Sequence, residues 1–113
     1  MRIDALSPRT DQRTRFARSH CVTVPEKPGC YALVTYHGEI LYVGLASRSI
    51  RDRMDVHLDT ESKRKGADTG VPFWFDYLVA ESSVVGKIER GWMNQAVLAD
   101  GVKPLLNHIS SPL

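Results

Sequence analysis

The sequence is poor in cysteine, carries little net charge and has no long hydrophobic run. Its two cysteines, Cys21 and Cys30, are too few for a disulfide scaffold, and their spacing fits no zinc motif. Cys30, inside an apolar stretch, reads as a small packed hydrophobe. No apolar run approaches the roughly 20 residues needed to span a bilayer. The opening stretch "MRIDALSPRTDQRTRFARSH" lacks the apolar centre of a secretory signal. An intracellular, cytoplasmic protein with no membrane partner is the expectation. A net charge of +2 excludes a histone-like polycation. Internal repeats and low-complexity segments are also absent. What is there is an ordinary globular composition, 113 residues with 42% hydrophobic and 25% charged, enough for one modest core.

The charge is unevenly spread. Arg2, Arg9, Arg13, Arg15 and Arg18 face only Asp4 and Asp11 in the first twenty residues, so the rest of the chain is close to neutral. The breaker "PEKPG" at Pro25 to Gly29 separates a basic arm, residues 1–24, from a domain at 25–113. A basic arm suits a phosphate backbone. A solvated terminus explains the same charge equally well. "DQRTRFARSH" is compatible with a short helix or an extended arm.

Beyond the breaker, "CYALVTY" and "EILYV" are rich in aromatic and β-branched residues. The short "HG" between them predicts an antiparallel hairpin. After Gly44 the period changes: Ile50, Met54 and Leu58 fall at i, i+4, i+8, an amphipathic helix with Ser47 or Ser49 as its cap. Residues 59–70 read as a polar loop containing Lys63, Arg64 and Lys65. "VPFWFDYLVA" reads as an interior strand. A second helix runs from Ser82 or Ser83 to about Ala99, stopped by Gly101 and Pro104. A terminal strand or helical turn is expected at Leu105 to Ile109. The order is β-β-α-β-α, an α+β domain whose small three-stranded sheet, mixed or antiparallel, is flanked by helices.

Several polar groups stand out against this frame. Tyr31 and Tyr42 sit at adjoining ends of the hairpin strands, so both phenols reach one edge of the sheet. Each also reads simply as a half-buried strand tyrosine. Arg53 and His57 are i, i+4 neighbours on the first helix. Glu89 is embedded in the apolar stripe of the second helix, where a carboxylate needs a partner. The helix pattern alone favours an arginine over a divalent cation. His20, His37 and His108 suggest no role.

Taken together, these residues resemble the GIY-YIG nuclease superfamily. "GCY" at Gly29 to Tyr31 and "YVG" at Tyr42 to Gly44 stand where the two motifs belong. Arg53 and His57 match the arginine and the histidine one turn later, Glu89 the single glutamate of the later helix, and Pro104 and Asn107 the closing proline and asparagine. The resemblance spans roughly Pro28 to Asn107. Cys30 replaces the usual isoleucine, and Leu45 stands where many members carry a lysine or a small polar residue.

The resemblance implies an endonuclease that hydrolyses phosphodiester bonds of DNA with one divalent cation. Glu89 would be the protein ligand of Mg²⁺ or Mn²⁺, and Tyr31 the general base, its pKa drawn down by positive charge from the metal and Arg53. Arg53 would clamp the scissile phosphate. Tyr42 and His57 would orient water and phosphate, with Gly29, Gly44 and Asn107 shaping the site. Lys63, Arg64 and Lys65, with Arg15 and Arg18 of the arm, are candidates for contacts to the DNA backbone. With so little chain outside the nuclease core, specificity would come from a homodimer, the arm or a partner protein. The alternative from another class is a non-catalytic nucleic-acid-binding or protein-interaction module on the same fold.

Overall fold

A computed structural model describes residues 1–66 and 70–108. Four strands, β1 (Gln12–Arg15), β2 (Gly29–Val34), β3 (Ile40–Ala46) and β4 (Trp74–Val79), form one sheet in the order β1-β4-β2-β3. Every pairing is antiparallel. The helices are α1 (Ile50–Leu58), α2 (Glu61–Lys65) and α3 (Val85–Asp100). The architecture is α+β.

The expected three-stranded sheet gains a fourth strand from the basic arm. "QRTR" shows no apolar alternation, because β1 is an edge strand with mainly exposed side chains. What holds it is pairing across the ladder. Arg13 stands opposite Asp76 and grips it with two bonds, Nε–Oδ1 at 2.8 Å and Nη2–Oδ2 at 2.9 Å. Residues 12–15 of the arm are therefore part of the sheet.

Strand β2 is buried along its whole length, since helices cover both faces of the β2–β3 pair. Tyr31 and Leu33 join one core with Tyr42, Ile50, Met54, Leu58 and Phe75, under α1. Cys30, Ala32 and Val34 join another with Val43, Val85 and Trp92, under α3. The period-2 alternation of the strand sorts its residues between the two cores. At the hairpin turn, Gly38 adopts φ +98°, a conformation glycine reaches without a Cβ penalty.

Ser49 caps α1, its hydroxyl accepting from the Asp52 N–H at 3.2 Å. Ile50, Met54 and Leu58 are buried as the spacing predicts, and so is His57. Residues 61–65 form α2 where the sequence predicts a loop, and the rest of that stretch, residues 67–69, lies outside the described residues. On α3, Val85, Trp92 and Ala96 make the buried stripe. Gly101 ends the helix with φ +77° and its N–H on the Val97 carbonyl at 2.7 Å. The chain then makes a 3₁₀ turn, Leu105–His108; Ile109 lies outside the described residues. Among these residues no helix is long and apolar enough to cross a membrane.

Candidate active site

The register of the hairpin sets the first two functional groups. Tyr31 pairs with Gly44 and Leu33 with Tyr42, so the tyrosines are diagonal neighbours on the α1 face, ring centroids 6.2 Å apart. A Cβ on Gly44 would come within 2.6 Å of the Tyr31 hydroxyl and 2.8 Å of Cε1 of Tyr42. The glycine of "YVG" is thus the floor on which the Tyr31 phenol rests. Gly29 is needed for a different reason: a side chain there would run into the Leu78 backbone and the tip of Ile50.

Helix α1 supplies the next groups. The Tyr31 hydroxyl lies 2.7 Å from Nε2 of His57. The imidazole is 2% exposed and crosses the Tyr42 ring steeply, centroids 4.8 Å apart. The Arg53 guanidinium sits beside both phenols, close enough to act on the ionisation of Tyr31. Arg51, two residues earlier, is spent on the Val22 and Val24 carbonyls and on Glu26. The helical phase therefore assigns the site to Arg53.

The sequence predicts Lys63 in a solvated loop. It is instead 5% exposed, with Nζ 3.9 Å from the centre of the Tyr42 ring and donating to the Leu106 carbonyl at 3.1 Å. Nothing in "ESKRK" singles it out, because a five-residue helix is too short to show a buried face by periodicity. Its neighbours Arg64 and Lys65 are exposed, Lys65 paired with Glu61 at 2.6 Å. Arg18 is held by Asp55 and Asp59 of the α1 end, and Arg15 is exposed on β1.

The site is electrostatically tense. Burial raises the Tyr31 pKa, Tyr42 adds to the rise, and Arg53 offsets only part of it. Arg53 does pull this phenol down, but desolvation of a phenolate outweighs one neighbouring guanidinium. Burial, then the charges of Lys63 and Arg53, pushes His57 down to about 3. Both groups are neutral at physiological pH. A guanidinium can only donate to the phenol oxygen, so we assign the hydroxyl proton to the Nε2 bond and the imidazole proton to Nδ1. Nδ1 and the Arg53 Nε are buried and without a hydrogen-bond partner among the described residues, two donors aimed at no protein acceptor.

Asn107 closes the outer edge of β3. Its side chain accepts from the Val43 N–H at 2.9 Å and donates to the Val43 carbonyl at 3.0 Å, standing in for a missing neighbour strand.

Glu89 is not brought into this cluster. It lies on α3, against the face opposite Tyr31, where its electrostatic neighbours are Cys30, Arg90 and Lys103. It faces the same end of the hairpin, because Cys30 pairs with Leu45, next to Gly44, but the sheet stands between. Its carboxylate is half-buried and forms no ion pair among the described residues, so the arginine partner favoured by the helix pattern is absent there. Burial raises its pKa, against the pull of Arg90 and Lys103. A lone carboxylate suits a hard cation that keeps most of its waters. No group of three His, Cys, Asp or Glu able to hold a metal occurs among the described residues. The donor chemistry fits one such ion; convergence with Tyr31 does not follow from the fold.

No model of a known protein family matches this chain. Comparison with curated proteins likewise returns no match.

Proposed function

We propose that the protein is a divalent-metal-dependent DNA endonuclease of the GIY-YIG type. The observation that carries this reading is the Tyr31 hydroxyl, 2.7 Å from a neutral buried imidazole, set on Gly44 and flanked by Arg53 and Lys63. A phenol bonded to a neutral base can accept a proton from water while passing its own to Nε2 of His57. Arg53 and Lys63 would stabilise the negative charge of a pentavalent phosphate bound beside them. A phosphodiester entering this site would also neutralise the two charges that help hold His57 low, making the imidazole a better base when substrate is bound.

Glu89 is the residue that would hold Mg²⁺ or Mn²⁺; the chemistry such an ion would supply is Lewis-acid stabilisation of a phosphate reaching the α3 face, across the sheet from the Tyr31 cluster. The chain's own residues do the rest: Tyr31 and His57 move the proton, Arg53 orients the phosphate, and Tyr42 walls the site under Lys63. Sequence specificity would come from a homodimer or partner protein.

A second reading, a non-catalytic nucleic-acid-binding or interaction module, is favoured by one observation: Glu89 and Tyr31 lie on opposite faces of the sheet. Incubation with supercoiled, branched and flapped DNA, in Mg²⁺, Mn²⁺ or chelator, separates the two. The nuclease reading expects nicking that needs the metal and is lost in Tyr31→Phe, His57→Ala and Glu89→Ala. Binding without nicking in every condition establishes the module. Nicking lost in Tyr31→Phe but kept in Glu89→Ala would remove Glu89 from the reaction.

A further inference from the structure

Far from His57, at the hairpin-turn end of the sheet, aromatic rings and guanidinium groups are layered. The distance from Tyr31 to Tyr36 is roughly 17 Å at the usual strand rise. Tyr36 is 64% exposed. Its ring meets Phe73 edge-on at 5.0 Å and lies within 20° of parallel to Trp74, centroids 6.4 Å apart. The Trp74 Nε1–H donates to the Tyr36 carbonyl at 3.4 Å, which ties the turn to β4. Arg15 lies over the Phe73 ring at 4.4 Å and Arg13 over Trp74 at 4.7 Å.

Beside the rings opens a polar cavity of about 470 Å³, with Arg2, Arg9 and Arg13 in its wall together with Asp4, Asp11 and Asp76. The acids are partly spent: Asp76 holds Arg13, and Asp4 stands 3.7 Å from Arg2. Arg9 and Arg15 form no ion pair among the described residues. A tyrosine braced by two rings loses little freedom when something stacks on it. Arg9 shares the cavity wall with it, and Arg15 lies over the Phe73 ring that Tyr36 meets.

We propose that this layered surface is a binding site for an unpaired nucleobase and its flanking phosphates in a single-stranded segment of a polynucleotide. Stacking on an exposed ring beside arginines is how single strands are held without sequence readout. A closed duplex keeps its base faces to itself and gains only the phosphate contacts. The inference rests on the nuclease reading for the kind of polymer. It adds the substrate class: DNA with an unpaired stretch, held at the turn end of the α3 side of the sheet, where Trp74 pairs with Val34.

The test is binding in chelator, where cleavage plays no part. Fluorescence anisotropy of dye-labelled oligothymidine is compared with a blunt duplex of equal length. Wild type is expected to prefer the single strand. Tyr36→Ala should weaken that binding about 5- to 160-fold, Tyr36→Phe should restore it, and Arg15→Gln should reduce the salt slope by about 0.7. Circular dichroism melting checks that the variants fold. Equal affinity for duplex and single strand, or unchanged binding by Tyr36→Ala, overturns the proposal. Nicking of supercoiled DNA by wild type is read separately. Stacking without nicking would leave this site standing and end the nuclease reading, and nicking without a Tyr36 effect would do the reverse.

Discussion

The hydroxyl of Tyr31 and Nε2 of His57 stand 2.7 Å apart in the core, one from β2 and one from α1, both shut away from bulk water. The pair is a hydrogen bond between neutral groups, and its consequences are measurable.

Tyr31→Phe removes the hydroxyl and keeps the ring stacked on Phe75, at 5.1 Å. Nicking should fall by about 10²- to 10⁴-fold, while the melt shifts only by what one unsatisfied Nε2 costs, about 1–3 kcal/mol. Loss of activity in step with loss of fold would show the tyrosine to be structural. Plasmid nicking and a thermal melt on one preparation decide.

Gly44→Ala places a methyl group against the Tyr31 hydroxyl and the Tyr42 ring. Both side chains must shift, at a cost of about 1–3 kcal/mol. The hydrogen bond between Tyr31 and His57 breaks first. Activity should fall at least as far as in Tyr31→Phe, and the His57 ring resonances should move.

The depressed His57 gives a pH dependence of known sign. The unfolded imidazole titrates near 6.5 and the folded one at about 3, so between these values the unfolded state binds more protons. Stability is full above about pH 6.5 and falls as pH drops toward 3, with a slope approaching 1.4 kcal/mol per unit, about one proton's worth. Denaturant unfolding of wild type and His57→Gln at several pH values isolates this contribution. Parallel curves would mean that His57 is not held neutral by the fold.

Lys63→Met keeps the length of the side chain and removes its charge. One of the two cations that lower His57 is then gone, and the histidine should titrate measurably higher by NMR. The Leu106 carbonyl loses its donor, at about 1–3 kcal/mol. An unmoved His57 would remove Lys63 from the electrostatics of the site.

Asn107→Ala strips both bonds from the Val43 peptide. About 1–3 kcal/mol of stability should be lost, and hydrogen exchange of the Val43 amide should accelerate.

Much of the fold and part of the site are legible in the residues themselves. The hairpin, both long helices and the interior strand follow from local pattern. Tyr31, Tyr42, Arg53 and His57 meet because strand pairing and a helical turn are short-range geometry. β1 escapes such a reading because an edge strand stabilised by Arg13 and Asp76 has no hydrophobic alternation to show. Lys63 escapes it because its burial is created by the Leu106 carbonyl and the Tyr42 ring, both distant in sequence. Glu89 stands out as an anomaly in an apolar stripe, yet its side of the sheet is set by how α3 crosses over, which no local pattern encodes.

By itself, then, the sequence determined the hairpin, β4, the two longer helices and the phase of their side chains, because those depend on neighbours a few residues away. Only the tertiary structure decided which faces came together: the arm joined to the sheet, Lys63 turned inward, the Tyr31 phenol kept protonated, and Glu89 set on the far face. Burial and the sum of distant charges fix these, and both exist only once the chain has closed on itself.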